Sequence, residues 1–353
     1  MKKGIVFTIH SIAGLLSGLF ISIMSVSGAL LVFHEEIDSL QYPRVVAESN
    51  RPVISIDSCY RSFQKEYPHA QISNCHITEN RSTPFIFSAY DSSFKEGTKP
   101  LQVFMHPQTG AVLQVRGSSD SFMSWVDGLH GSLHLGKKGE WLLGFFAIIF
   151  LLSIITGIIM YRRNIGAVLL FRKRVFRKNN LHQIIGVYAL LFNLMIGVTG
   201  FWMQRYVFKK DFYQSYNYTP VLKPSPGLFY SVDSALHQVK EKYPAFNGYV
   251  IYFAQSKKGK TAVYGSQSTN SFIHSKRYAD AIMLDSAGSI AATRFINEID
   301  PADRYDIISS QVHYGKYGGW PVKIIYCLLG LTAGLLSVTG FLIWYKRRKA
   351  KFS

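Results

Sequence analysis

No Gly-rich phosphate loop, no dinucleotide fingerprint and no Gly-x-Ser-x-Gly elbow occurs in these 353 residues. The chain therefore has no recognisable nucleotide cradle and no hydrolase nucleophile turn. It also lacks a His-Glu-x-x-His helix and holds only 3 cysteines, which removes the familiar zinc frameworks. Acidic side chains are few: 21 Asp and Glu stand against 39 Lys and Arg, a formal charge of +18. Such an excess would suit a nucleic-acid binder. Here, however, the densest basic runs (Arg162-Arg163, Arg172 to Lys178, Lys346 to Lys351) follow apolar segments or join two of them. Nucleic acid is therefore set aside as a partner, and the cations are read as the ends of membrane spans.

Apolar sequence is plentiful, at 48% of residues. Four stretches, 5–33, 141–161, 181–204 and 320–345, are long enough to cross a hydrocarbon core, which takes ~20 residues. The first is too long for a signal peptide and lacks a small-residue cleavage site, so it reads as a retained helix. Lys2-Lys3, the segment 162–178 and the tail 346–351 place the cations on one side. By the positive-inside rule both termini are cytoplasmic. The expected order is span one in 1–34, an external segment 35–140, span two at 141–161 and a basic cytoplasmic loop at 162–180. Span three at 181–204, a second external segment 205–319, span four at 320–345 and a cytoplasmic tail 346–353 complete it. The setting is a bacterial-type inner membrane. Cys59 and Cys75 fall in the first external segment, where a disulfide is permitted but not required. Cys327 falls inside span four as a small apolar residue.

The two halves repeat one design. Ser55-Ile56-Asp57-Ser58 with Tyr67-Pro68 recurs as Ser231-Val232-Asp233-Ser234 with Tyr243-Pro244. Each copy reads as a capped helix stopped by proline. Strand-like runs follow at 85–90, 101–105 and 111–115, then at 249–254, 261–264 and 281–284, with turns at 106–110 and 285–288. The fold class is thus a membrane α-helical four-helix bundle plus two external α+β domains, related by an internal two-fold repeat.

Histidines keep the same register. His10 lies seventeen residues before Ser27-Gly28 and His182 seventeen before Thr199-Gly200; His130 and His313 lie twenty-six before Thr156-Gly157 and Thr339-Gly340. Ionisable groups in or beside spans are costly and mark function. Two imidazoles from facing helices suit the axial positions of a b-type haem. His10 with His182 would form an inner pair, and His130 with His313 an outer one, giving two haems. Gly14, Ser17, Gly18, Gly186 and Gly197 are read as room for the macrocycle. His134 is an alternate to His130, because His134 to Lys137 matches His313 to Lys316. His34 is a second alternate, at the outer end of span one. Tyr206, Tyr213, Tyr216, Tyr218, Arg304 and Lys316 are candidate contacts to propionates or an anionic chelate, and Phe20, Phe146, Phe150, Tyr188 and Phe192 lie between the two depths. No residue is assigned a catalytic role.

These residues resemble the PepSY-associated transmembrane family, including the FoxB-type ferric-siderophore reductases. The likeness is carried by His10, Gly28 to Phe33, Glu36, Leu129-His130, Gly136, Gly139, His182, His313, Gly318 and the three Thr-Gly steps, over nearly the whole chain. It implies PepSY-like external domains and a haem-b oxidoreductase of the inner membrane that reduces a ferric siderophore in the periplasm and so releases iron. The haem histidines would fall on His10, His182, His130 and His313. The flavodoxin-like extension of some relatives is missing, which leaves the electron donor, cytoplasmic or membrane, open. Two other readings stand beside this one: a membrane-anchored PepSY binding or regulatory module, and a haem carrier or sensor without turnover.

Overall fold

Ser55 and Ser231 do cap the helices expected after them: each hydroxyl accepts a hydrogen bond from the backbone N–H three residues on, at Ser58 and Ser234. The computed structural model describes residues 3–46, 53–77, 82–91, 100–170, 181–209, 211–212 and 223–352. The basic run 172–178 and Tyr213, Tyr216 and Tyr218 lie outside the described residues. The first half runs α1 (Lys3–Leu31), α2 (His34–Ser39), α3 (Ile56–Glu66), β1 (Gln71–His76), β2 (Phe85–Tyr90), β3 (Leu101–Met105) and β4 (Val112–Gly117). Then come α4 (Phe122–Ser132), α5 (Lys137–Tyr161) and α6 (Ile165–Leu169). The second half runs α7 (Leu181–Tyr188), α8 (Leu190–Gln204), α9 (Val232–Lys242), β5 (Phe246–Tyr252), β6 (Thr261–Gln267), β7 (Asp280–Leu284), β8 (Ile290–Arg294), α10 (Pro301–Tyr314) and α11 (Gly319–Phe352).

The chain divides into two compact units. One gathers residues 36–124 and 218–308. Its strands form a single antiparallel sheet in the order β4-β3-β2-β1-β5-β6-β7-β8. The segments 35–140 and 205–319, expected as two domains, thus contribute strands to one sheet, joined where Asn74, Cys75 and His76 of β1 face Tyr252, Ile251 and Val250 of β5. The apolar faces of α3 and α9 cover it with Tyr60, Phe63, Val232 and Val239, and the sheet answers with Phe85, Phe87, Ile251, Val263 and Ile282. The helix starts cap each other crosswise. Asp233 accepts from the N–H groups of Ile56 and Asp57 at 3.0 and 2.9 Å, and Asp57 accepts from that of Val232 at 2.8 Å. Four otherwise unpaired N–H groups open any helix, and here the carboxylates come from the opposite helix.

Cys59 and Cys75 are free thiols, fully buried in this core. Burial, with Asp233 nearby, pushes the Cys59 thiol up to about 12.

The second unit gathers residues 1–35, 125–217 and 309–353. α1, α5 and α11 are each long and apolar enough to cross a bilayer; α7 and α8 reach that length only together, bent by 64°. The apolar stretch 181–204 is therefore broken at Ala189. α1 packs on α5 and α11, α11 on α7 and α8, and α5 returns to α8. Small residues let α1 and α11 approach closely. The Ser25 hydroxyl donates to Gly330 O at 2.6 Å and accepts from Gly334 N at 3.0 Å. The start of α1 and the end of α11 lie at the same end of the unit, with the Arg347 guanidinium 4.9 Å from the centre of the Phe7 ring.

Candidate functional site

Each of the four registered histidines sits against a hydroxyl-glycine step of a neighbouring helix. His10 on α1 places Nδ1 3.1 Å from Thr156 Oγ1 and 3.0 Å from Ser153 O on α5. His182 on α7 meets Thr339 Oγ1 on α11 at 2.9 Å. His130 on α4 meets Ser27 Oγ on α1 at 2.9 Å, and His313 on α10 meets Thr199 Oγ1 on α8 at 3.0 Å. The glycine that follows each hydroxyl leaves space for the ring. A Cβ at Gly28, Gly200, Gly340 or Gly157 would stand only 3.0, 3.1, 3.3 or 3.4 Å from the Cε1 of His130, His313, His182 or His10.

These contacts fix the tautomer. Each hydroxyl gives its single proton to the carbonyl four residues back in its own helix: Thr156 to Leu152, Ser27 to Ile23, Thr199 to Met195 and Thr339 to Leu335, all at 2.7–2.8 Å. It can then only accept from the imidazole. A carbonyl three residues before the hydroxyl also bonds each ring: Ser153 O lies 3.0 Å from the His10 Nδ1, and the backbones of Met24, Ile196 and Leu336 bond His130, His313 and His182. Both partners of the His10 Nδ1 are acceptors, so that nitrogen carries the proton and Nε2 keeps its lone pair; His130, His182 and His313 repeat the hydroxyl contact at Nδ1.

The rings lie in pairs. His10 and His182 have ring centroids 6.3 Å apart at an interplanar angle of 76°, and His130 and His313 are 6.4 Å apart at 50°. An imidazole nitrogen binds a first-row metal at about 2.0 Å, and the ring centre lies about 1.1 Å behind it. Two rings facing one metal in line are therefore about 6.2 Å apart. Among the described residues no three His, Cys, Asp or Glu side chains gather as a metal site. Each position thus offers two neutral nitrogen donors and no more. That donor set fits a metal whose other ligands come with it in a flat macrocycle. Gly14, one turn beyond His10 on the same face, has nothing within 4 Å of where its Cβ would stand. Gly197 differs from the expectation: the Leu151 and Phe150 side chains fill its surface, so it serves helix packing.

Desolvation lowers the proton affinity of both outer histidines below the usual imidazole range, and at His313 the nearby His130 adds to the effect. Neutral rings are the form that ligates metal. Along α1, His10 and Ser27 are seventeen residues apart, about 26 Å of helix, so the two pairs occupy opposite ends of the spans. Phe20 and Phe146 stack between those levels at 4.2 Å.

The alternates lie elsewhere. His134 has φ +56° and lies against Gly128 and the Trp125 ring, away from His313. His34 begins α2. The Tyr206 hydroxyl donates to Glu140 at 2.9 Å, Lys316 pairs with Glu35 at 3.6 Å, and Arg304 donates to the carbonyls of Asn297 and Ile299. Sequence reasoning used Ser27, Thr156, Thr199 and Thr339 only as register marks. Their constant spacing was already the signal that they hold the rings.

Apolar spans, imidazole pairs at two depths and an attached antiparallel sheet define the class: a multi-pass membrane protein with an α+β unit. The chain matches the model of the PepSY-associated TM region over residues 7–347 and belongs to that family. No curated protein matches it.

Proposed function

We propose that this protein is a haem-b reductase of the inner membrane, similar to the FoxB-type ferric-siderophore reductases, that passes electrons outward to a ferric siderophore. The observation that carries the reading is the pair of imidazole pairs, each 6.3–6.4 Å apart with every ring held through Nδ1. In this reading His10 and His182 hold an inner haem and His130 and His313 an outer one. Bound there, haem supplies one-electron carriage between its ferric and ferrous states. The spans form a four-helix bundle built as a two-fold repeat. The ends bearing Arg162-Arg163 and Lys346 to Lys349 face the cytoplasm by the positive-inside rule, which puts the sheet unit in the periplasm.

Each Fe(III) delivered takes one electron. The hard oxygen donors of a siderophore hold Fe(II) far less well than Fe(III), so reduction releases the iron. The electron comes from a cytoplasmic or membrane donor, since the chain has no dinucleotide fingerprint of its own. The protein's part is to keep four imidazoles neutral, correctly turned and shielded by the helices.

A visible spectrum of the detergent-purified protein tests this. Low-spin Soret and α bands and two haems per chain by pyridine haemochrome are expected, with one lost in His10→Ala and one in His313→Ala. Dithionite-reduced protein should be reoxidised by a ferric siderophore. A colourless protein refutes the haem reading and leaves an anchored binding module; coloured protein that a ferric siderophore does not reoxidise leaves a carrier or sensor.

A further inference from the structure

The hydroxyl-glycine steps recur four times, and all four keep one proton arrangement across different helices. Serine or threonine within a helix commonly bonds back to the carbonyl four residues earlier. Here that habit has a chemical consequence. It consumes the hydroxyl proton and turns the side chain into an acceptor aimed at an imidazole. The carbonyl three residues before it lies 3.0–3.3 Å from the same hydroxyl, and at Ser153 it also lies 3.0 Å from the His10 Nδ1 as a second acceptor. An Nδ1–H held by two oxygens makes the opposite nitrogen a stronger electron donor.

We propose that Ser27, Thr156, Thr199 and Thr339 are positioning residues that lock the four histidines in the Nδ1–H form and set the electron-donor strength of each pair separately. This rests on the haem reading for its redox consequence but not for the tautomer. Thr156 and Thr339 act on the inner pair alone, Ser27 and Thr199 on the outer pair alone. The two sites are thus tunable one at a time, and the hydroxyls set their relative potentials without touching the metal. The rings of the inner pair stand closer to perpendicular than those of the outer pair, 76° against 50°, so the two sites differ in ligand geometry as well.

The test has two arms on the full-length protein in lipid. The first uses 15N-histidine solid-state NMR of haem-free protein, with signals assigned by their loss in His10→Ala, His130→Ala, His182→Ala and His313→Ala. Protonated Nδ1 and bare Nε2 are expected for all four; Nε2–H at any of them overturns the lock there, whether or not haem binds. The second arm compares Thr156→Val with Thr156→Ser, and Thr199→Val with Thr199→Ser, by haem titration and spectroelectrochemistry. Each valine variant should lose about 10–100-fold in haem affinity at its own site. The midpoint potential of that site should rise while the other stays put, and serine should restore both. Valine variants with unchanged affinity and potential refute tuning by the hydroxyl. Equal shifts at both sites show a general structural effect and refute it too. Wild-type protein that binds no haem refutes the proposed function and the tuning with it, while the NMR arm still decides the lock.

Discussion

Replacing the glycine beneath each histidine should separate the outer pair from the inner. Carbon atoms rest comfortably at about 3.5–4.0 Å. An alanine Cβ at position 28 or 200 would stand 3.0 or 3.1 Å from the imidazole Cε1, whereas at 340 or 157 it would stand at 3.3 or 3.4 Å. The outer rings must therefore retreat by about 0.5 Å and the inner ones by about 0.1–0.2 Å. Metal-ligand distances tolerate about 0.2 Å. The outer misfit is overpacking, which costs about 1–3 kcal/mol, equivalent to about 5- to 140-fold in affinity. Helix propensity works the other way, since alanine improves on glycine by about 1 kcal/mol; a loss cannot be blamed on a weaker helix. Haem titration of Gly28→Ala and Gly200→Ala should show one weakened site of two, with Gly157→Ala close to wild type. Two full-strength sites in Gly200→Ala, or equal damage in Gly157→Ala, would refute the steric argument.

Three further outcomes follow from the same geometry. His134→Gly should keep both haem bands, because His134 lies against Gly128 with φ +56°, and glycine relieves that conformation; loss of the outer band would move the ligand from His130 to His134. Asp233→Ala removes the cap from two N–H groups of α3. At about 0.5–2 kcal/mol per cap and about 2–4 °C per kcal/mol, thermal melts of the sheet unit should fall by several degrees, and less in Asp233→Asn. Cys59 and Cys75, fully buried with raised thiol pKa values, should resist maleimide in native protein and react in urea, as mass spectrometry would record; labelling before unfolding would contradict the packing.

The local repeats were legible, because caps, prolines and turns depend on neighbours in the chain. β2 and β3 fall where alternation predicts them, and Gly110 and Gly288 take the positive φ of their turns. β1 was not legible, and that miss hid the single sheet. Its buried residues are Ile72 and Cys75, three apart rather than two, because a bulge between Ile72 and Asn74 breaks the alternation. β8 buries none of its residues, so it carries no pattern either. The break at Ala189 is marked by no proline, and Gly186 three residues before it sits within α7, which left the third apolar stretch looking continuous. At the candidate site, register named the four histidines and the four hydroxyl-glycine steps, but not that one holds the other. Contact across helices is a property of the fold, and spacing reports it only as coincidence.

A division of labour runs through both units. Every histidine takes its hydroxyl and glycine from its own half of the chain: His10 from Thr156, His130 from Ser27, His182 from Thr339 and His313 from Thr199. Every ring pair, by contrast, joins the two halves, as do the β1–β5 pairing and the crossed aspartate caps. Orientation is therefore settled within a half and distance between halves. Changes at the hydroxyls should touch one site, whereas a wedge between the halves should touch both. Gly334 on α11 is such a place, since a Cβ there would lie 3.0 Å from Ser25 Oγ and 3.3 Å from its Cβ on α1. Gly334→Val should push α1 and α11 apart and weaken haem at both depths together, read as a parallel fall in both sites on titration. A loss confined to one site would show that the spacing of the pairs is not set by that shared contact.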